Sequence, residues 1–319
     1  MKPRAPTAFY GDELWAITSY FNPASYRRRL ANFNTFRQHL PIPLVAVELA
    51  YDADFELQEA DAEILIQLRG GALLWQKECL LNVALQALPA ACRKVAWLDC
   101  DVVFGKPGWC EAASSLLDRV PIIQLFREAH YPPPHWTPDT AQSVAPELMR
   151  PSAAYSLARG TPPATCFGFQ EYDRRRTSAS GLAWAARREV LDQHGFFDTC
   201  IVGGGDNAIV CAANNSLDGL IQRHMMNERE RERYLAWGKP YSKTVGATTE
   251  FLDTVVFHLW HGNLSDRGSR SRHAGLRCFA FDPFKDIAID ENGLWRWTSD
   301  KPAMHAYVRE YFVSRREDG

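Results

Sequence analysis

Two aspartates separated by one residue, Asp99 and Asp101, directly follow an apolar run at residues 95–98. In open α/β sheets, ligands bind beyond the carboxyl ends of the strands. Two carboxylates crowded at such an end are costly to bury unless a cation or water satisfies them. Mn²⁺ and Mg²⁺ take oxygen ligands and keep substrate phosphate in their coordination shell. The pattern therefore indicates a site for a divalent cation and a phosphate, although a solvated strand end accounts for it equally well.

Two histidines three residues apart, His258 and His261, end a second apolar run. Two aspartates alone leave the shell of a divalent cation incomplete, and imidazole is an accepted ligand for Mn²⁺, although carboxylate suits this cation better. A single histidine at a strand end is more often structural, whereas two of them favour metal binding. We expect His261 to be the ligand, with His258 as the second choice.

A third carboxylate, Asp206, follows three glycines at residues 203–205. Glycine lets a chain turn sharply, so this turn can bring the carboxylate close to a bound ligand. A carboxylate in that position can remove a proton as a general base. It can also cap a helix that begins at Asn207, and the two roles are compatible.

Basic side chains near these acids in the sequence could complement a phosphate. Lys77 precedes the two aspartates on a predicted helix, and the segment 262–275 carries Arg267, Arg270 and Arg272. Arginine suits bidentate recognition of phosphate. This segment could therefore order over a diphosphate as a lid, and the alternative is a solvated, mobile loop.

The elements that must position these residues follow from the spacing of apolar side chains. Strands are predicted at residues 14–21, 44–49, 94–104, 121–126 and 254–260. Helices are predicted at residues 26–39, 73–88, 187–193 and 302–316, and a hairpin at 287–297 with its turn near Asn292-Gly293. Strands that alternate with helices indicate βαβ units and a mostly parallel sheet. Residues 127–176 are rich in proline and lack periodicity, which is typical of a lid or a binding loop.

Several of these segments together resemble a known family. A helix with Lys77 and Asn82, then an apolar strand, then Asp-x-Asp resembles the GT-A glycosyltransferases, particularly the family 2-like inverting enzymes. Thr18, in the first strand, and Glu48, at the end of the second, fall where that family places nucleotide-binding groups. An acidic side chain there could accept hydrogen bonds from the nucleoside, but Glu48 is equally well explained as a polar strand end.

The second half of the chain is similar to the acceptor-side block of the β1,4-galactosyltransferases. In that block a small-residue segment leads to a helix, a Gly-Phe pair and a W-G-G-E-D motif. The corresponding parts here are residues 180–191, residues 195–198 and residues 203–207. Gly205 replaces the family's glutamate and no tryptophan precedes the glycines, which leaves the acceptor open.

The resemblance covers roughly residues 12–275 and implies an α/β fold of the GT-A, Rossmann-like type, with a central mostly parallel sheet flanked by helices. The residues beyond it are expected to form a C-terminal extension. Residues 1–261 would form the GT-A domain, and residues 262–319 a lid loop, hairpin and helix packed on the same domain. It implies transfer of a sugar from a nucleotide-diphospho-sugar, with a UDP-sugar as the first candidate, to a carbohydrate or other hydroxyl acceptor. The transfer would proceed with inversion and would use Mn²⁺ or Mg²⁺ as cofactor. Asp206 would be the catalytic base. The expected metal ligands are Asp99, Asp101, His261 and His258, and the expected donor-binding residues are Thr18, Glu48, Lys77, Asn82, Asp99, Arg267 and Arg270.

Three alternatives remain open at this point. A sugar-phosphate nucleotidyltransferase would open with a glycine-rich loop after its first strand, and Phe21-Asn22-Pro23 counts against it. A glycosyltransferase that acts on a hydroxymethylated base in DNA would use the arginine-rich loops. A GT-A module that binds sugar without catalysis would keep the fold and lack turnover.

Composition narrows the partners and the compartment. The chain has 319 residues with a net charge of −2, which gives little support to nucleic acid or membrane as a partner. No apolar run reaches the roughly 18 residues of a membrane span, and residues 1–15 have no apolar core typical of a signal peptide. None of the eight cysteines forms a C-x-x-C pair, which argues against a zinc site. We expect reduced thiols and a cytoplasmic protein.

Overall fold

The computed structural model describes residues 13–141, 143–169, 177–247, 249–269 and 271–319. The strands in chain order are β1 (Leu14–Phe21), β2 (Leu44–Ala50), β3 (Ile64–Arg69), β4 (Lys94–Leu98), β5 (Val102–Phe104), β6 (Ile122–Gln124), β7 (Glu128–Tyr131), β8 (Leu148–Pro151), β9 (Ala183–Arg187), β10 (Thr249–Phe251), β11 (Val255–His258), β12 (Ile287–Ile289) and β13 (Trp295–Trp297). The helices are α1 (Arg27–Gln38), α2 (Lys77–Gln86), α3 (Trp109–Leu117), α4 (Ala153–Ala158), α5 (Pro163–Phe167), α6 (Arg188–His194), α7 (Gly205–Ala213), α8 (Leu217–His224), α9 (Glu228–Val245), α10 (Ser271–Arg277) and α11 (Pro302–Ser314).

The central sheet of the described chain has the strand order β10-β6-β9-β4-β1-β2-β3. The pairs β1–β2, β1–β4, β2–β3 and β6–β10 are parallel, and β9 runs antiparallel to β4 and β6. Successive residues of β1 enter different apolar clusters: Ile17 and Phe21 pack on one face of the sheet, and Ala16 and Tyr20 on the other. A sheet buried on both faces explains why its strands are continuous apolar runs rather than alternating ones. The predicted α/β fold with a mostly parallel sheet is confirmed.

A second sheet, with the order β5-β11-β7-β8, joins two of the predicted site segments. The register of the antiparallel pair β5–β11 sets Val102 opposite His258. Beyond the strand end, the amide of Leu259 donates to the carbonyl of Asp101 at 2.8 Å. The single strand predicted at 94–104 is wrong, because the chain leaves the central sheet after Leu98 and enters the second sheet at Val102.

Other predicted boundaries also need correction. The segment 127–176 is not a structureless loop, because it contains β7, β8, α4 and α5. These elements have four to six residues each, too few to display a period. Residues 170–176 lie outside the described chain. The predicted helix at 73–88 begins only at Lys77, since Gly70 and Gly71 have positive φ and Ala72 donates its amide to the carbonyl of Trp295.

The last part of the chain packs on the central core. The predicted hairpin is confirmed as the antiparallel pair β12–β13 and the predicted helix as α11. In α11, the ring of Phe312 stacks on Trp75 with centroids 6.1 Å apart and contacts Phe21 edge-on. No helix among the described residues combines the length and apolar character needed to span a membrane.

Candidate active site

One cleft beyond the carboxyl ends of β1 and β4 gathers most of the charged residues singled out in the sequence. Its walls include residues of the Asp-x-Asp turn, the glycine turn before α7, the end of β11, the segment after it and the end of α11. The predicted residues that line it are Lys77, Asp99, Asp101, Asp206, His258, His261 and Arg267.

Asp101, His258 and His261 form a compact buried cluster whose ligand atoms lie within 4.8 Å of one another. The Nε2 atom of His261 is 2.9 Å from Oδ2 of Asp101, and that of His258 is 3.7 Å from Oδ1. The two Nε2 atoms face each other at 3.4 Å. Oδ1 of Asp101 is buried without a hydrogen-bond partner in the described structure. Imidazole nitrogens and an unsatisfied carboxylate oxygen that converge in this way suit a divalent cation such as Mn²⁺.

The protonation of His258 suits the same interpretation. Burial lowers the pKa of His258 to about 3, even though Asp101 opposes the shift. The imidazole is therefore neutral at pH 7, which is the form that binds a metal. His258 is 4% exposed, so little water competes for its lone pair.

Arg267 approaches the same cluster from the segment after β11. Its Nη2 atom donates to Nε2 of His261 at 2.7 Å. A cation bound to the Nε2 lone pair of His261 would have to displace the guanidinium of Arg267. The displaced guanidinium would then be free to contact an anion in the cleft. The predicted partner residue Arg270 lies outside the described chain.

Lys77 joins two carboxylates on the other side of the cleft. Its Nζ atom lies 2.5 Å from Oδ1 of Asp99 and 2.8 Å from each carboxylate oxygen of Asp206. Burial by itself would lower the pKa of Lys77, but Asp206 and Asp99 hold it well above its usual value. Burial also raises the pKa of Asp99 to about 6 against the opposing effect of Lys77. Asp99 does not belong to the compact cluster around Asp101, and its role as a metal ligand stays a prediction.

Asp206 is the second residue of α7, and the glycine turn places it there. Gly203 and Gly204 have φ of 79° and 104°, which favour glycine, and Gly204 is the N-cap residue. The interpretation of Asp206 as the cap of a helix from Asn207 is therefore wrong, because the helix begins two residues earlier. The Asp206 side chain is 26% exposed and lines the cleft.

Three predicted donor-binding residues lie away from this cleft and are engaged within the protein. Thr18 donates to the carbonyl of Leu98 at 2.7 Å. Glu48 is 2% exposed and accepts from the amides of Glu56 and Leu57 and from the side chain of Gln67. Asn82 bonds both backbone groups of Phe196. These hydrogen bonds order neighbouring loops, and nucleotide binding by the three residues stays a prediction.

The structure also adds residues to the cleft that the sequence did not indicate. Arg315, after α11, and Tyr131, in β7, line it. Glu78 and Glu317 are buried beside it. Arg29 belongs to a basic cluster at residues 27–29 that the sequence allows to reach a nucleotide site, and it lines the cleft as well. Apolar spacing could not have identified Arg315 or Glu317, because it locates a helix and does not tell which charged residues at the end of the helix meet a cleft.

Comparisons with known proteins give likenesses in structure only. No family model matches this chain, and no curated protein matches it. Among solved structures, TarS of S. aureus is 11% identical with a TM-score of 0.38, over 85% of this chain; the chain spans only 44% of that protein. Glucosyl-3-phosphoglycerate synthase from Mycobacterium tuberculosis, in complex with Mn²⁺, uridine diphosphate and phosphoglyceric acid, is 13% identical over 88% of this chain and 82% of its own, with a TM-score of 0.41.

A third solved structure is a Drosophila β-1,4-galactosyltransferase 7 mutant with manganese, UDP-Gal and xylobiose. It is 11% identical over 75% of this chain and 64% of its own, with a TM-score of 0.31. With TM-scores below 0.5, these likenesses do not define the activity of this chain.

Proposed function

We propose that this protein is a metal-dependent glycosyltransferase that moves a sugar from a nucleotide-diphospho-sugar, with a UDP-sugar as first candidate, to an acceptor hydroxyl. The observation that carries the proposal is the juxtaposition in one cleft of two charge clusters. The first is Asp101 with His258 and His261, and the second is Lys77 with Asp99 and Asp206. The first suits a cation, and the second places the partly exposed carboxyl group of Asp206 beside the open space of the cleft.

The residues that would hold the cation are Asp101, His258 and His261, with Asp99 as a further candidate. Bound there, Mn²⁺ or Mg²⁺ would offset the charge that develops on a departing nucleoside diphosphate. The guanidinium of Arg267, displaced from His261, would bind the same diphosphate by paired hydrogen bonds. Neutral His258 and ionised Asp101 are already in the protonation states that this arrangement needs.

Asp206 supports a single displacement with inversion. Its carboxylate accepts from Lys77, and this contact fixes the direction of the side chain. An acceptor hydroxyl near the exposed edge of Asp206 would lose its proton to this carboxylate as the oxygen attacks the anomeric carbon. Gly181 leaves room for this group, since a Cβ there would lie 2.7 Å from Oδ2 of Asp206.

The test is donor turnover with a panel of UDP-sugars and other nucleotide sugars, in EDTA and after addition of Mn²⁺. We expect hydrolysis or transfer that requires the cation, and a melting temperature raised by donor and Mn²⁺ together because a ligand of the folded state stabilises it. Asp101→Ala should abolish turnover in a protein that still folds. Full activity in EDTA would refute the metal dependence, and binding without turnover for every donor and acceptor would identify a non-catalytic sugar-binding module instead.

A further inference from the structure

The residues that follow α11 lie directly over the end of the metal cluster. Gly262, next to His261, has a φ of 78°, and a Cβ at this position would lie 2.5 Å from the carbonyl oxygen of Arg316 and 2.9 Å from that of Arg315. Only glycine allows this close crossing of two backbone segments without a shift. The crossing brings residue 317 beside the imidazole of His261.

Glu317 faces the ring nitrogen of His261 that does not point at Asp101. Its Oε1 atom lies 3.3 Å from Nδ1 of His261, while Nε2 of the same ring is 2.9 Å from Asp101. The imidazole is thus held between two carboxylates, one at each nitrogen. A carboxylate beside Nδ1 keeps the proton on that nitrogen and leaves the Nε2 lone pair for a metal. Arg267, which can only donate, lies 2.7 Å from Nε2, and this contact suits an unprotonated Nε2.

Glu317 is 2% exposed, and two guanidinium groups surround its carboxylate. Its carboxylate lies 2.5 Å from Nε of Arg315 and 3.0 Å from Nη1 of Arg29. A buried charge with two such partners is compensated, whereas an unpaired one would be very costly.

The same segment is anchored at a place that does not touch His261. Asp318 accepts from the amides of Arg27 and Arg28 at 3.1 and 2.8 Å, at the beginning of α1, where Tyr26 provides no side-chain cap. The hydroxyl of Tyr26 donates to the carbonyl of Val313 and accepts from the amide of Arg316. The anchor and the contact with His261 can therefore be changed separately.

We propose that Glu317 is a positioning residue for the metal site: it fixes the tautomer and orientation of His261 from outside the central sheet. The inference rests on the proposed function in that it requires Asp101 and His261 to bind a cation. It assigns a role to a segment that the resemblance to glycosyltransferases does not cover.

The test is the affinity of the full chain for Mn²⁺ alone, measured by titration calorimetry without donor. We expect Glu317→Gln to weaken Mn²⁺ binding by about 10-fold to 100-fold, the range typical of carboxylates that orient a metal-binding histidine. Asp318→Asn is the matched control, because it changes the neighbouring anchor and should leave the affinity within about twofold. Turnover of Glu317→Gln should recover at saturating Mn²⁺, which a general loss of folding would not allow.

A second measurement needs no variant. Nitrogen chemical shifts of the imidazoles in the wild-type protein should show His261 protonated at Nδ1, and protonation at Nε2 instead would overturn the proposal. Unchanged Mn²⁺ affinity in Glu317→Gln would also overturn it, while loss of binding in Asp101→Ala would leave the proposed function standing. If the wild type binds no Mn²⁺, or binds it equally well after Asp101→Ala, the metal-dependent function fails as well.

Discussion

The carboxyl group of Glu78 occupies the space that a side chain at position 205 would need. A Cβ built on Gly205 overlaps this carboxyl group, and neither of its oxygens has a hydrogen-bond partner in the described structure. The glycosyltransferase resemblance expects a glutamate at position 205. In this chain α2 supplies a carboxyl group to that space instead, which gives a physical reason for the third glycine of the turn.

Gly205→Ala should therefore destabilise the fold, although alanine suits a helix better than glycine. We expect a loss of about 1–3 kcal/mol, typical of overpacking, in urea unfolding. Glu78→Ala should relieve the overlap, so the double variant should be more stable than the sum of the two single changes predicts. Strict additivity of the two changes would contradict the contact.

Glu78 should also make stability depend on pH. Burial, more than any neighbouring charge, raises its pKa from 4.5 to about 8, so the folded protein holds a proton that the unfolded chain releases. Below pH 4.5 Glu78 is protonated in both states, so it does not lower the free energy of unfolding. As pH rises from 4.5 towards 8, the free energy of unfolding falls by at most about 1.4 kcal/mol per pH unit. Glu78→Gln should remove this slope, and the difference between the unfolding free energies of the two proteins from pH 5 to pH 8 measures it. A difference that does not change with pH would show that Glu78 is ionised.

Asp206→Asn should lower turnover by about 10² to 10⁴-fold, the usual cost of losing a general base. The asparagine keeps the shape of the side chain, and Lys77 keeps Asp99 as its partner, so donor affinity and melting temperature should change little. Because the helix cap is Gly204, a cap role cannot account for a loss of activity. Turnover within a few-fold of the wild type would remove Asp206 as the base and the main support for inversion.

Arg267→Ala should separate metal binding from donor binding. In the donor-free protein Arg267 occupies the lone pair of His261 and adds positive charge beside the cluster, so its removal should tighten Mn²⁺ binding several-fold. The same change should raise KM for the nucleotide sugar, because a phosphate contact is lost. Arg277→Ala, at the exposed end of α10, is the matched control and should change neither. Weaker Mn²⁺ binding in Arg267→Ala would contradict the proposed exchange of partners.

The sequence identified individual residues of this site better than the contacts between residues that are distant along the chain. Asp101 and His258 could be identified because each follows an apolar strand, and strand ends of this kind bear ligands. The pairing of Lys77 with Asp206 could not, because the two residues are 129 positions apart and no local pattern encodes the contact. Thr18 and Glu48 were selected by their positions along strands, where the resemblance expects nucleotide-binding groups. A position in a strand does not tell whether the side chain faces the cleft or hydrogen-bonds within the protein.

The contact between Glu317 and His261 has a consequence for how the protein is made. With Glu317 in its proposed role, the complete site draws on the Asp-x-Asp turn, the end of β11 and a segment after α11, so it closes only when distant parts of the chain have met. Such non-local contacts form late, since loop closure must come first. A chain still emerging from the ribosome would present Asp101 and His258 before Glu317 exists. Full affinity for the cation should thus arise only after synthesis has passed α11, which delays any chemistry until the fold is closed.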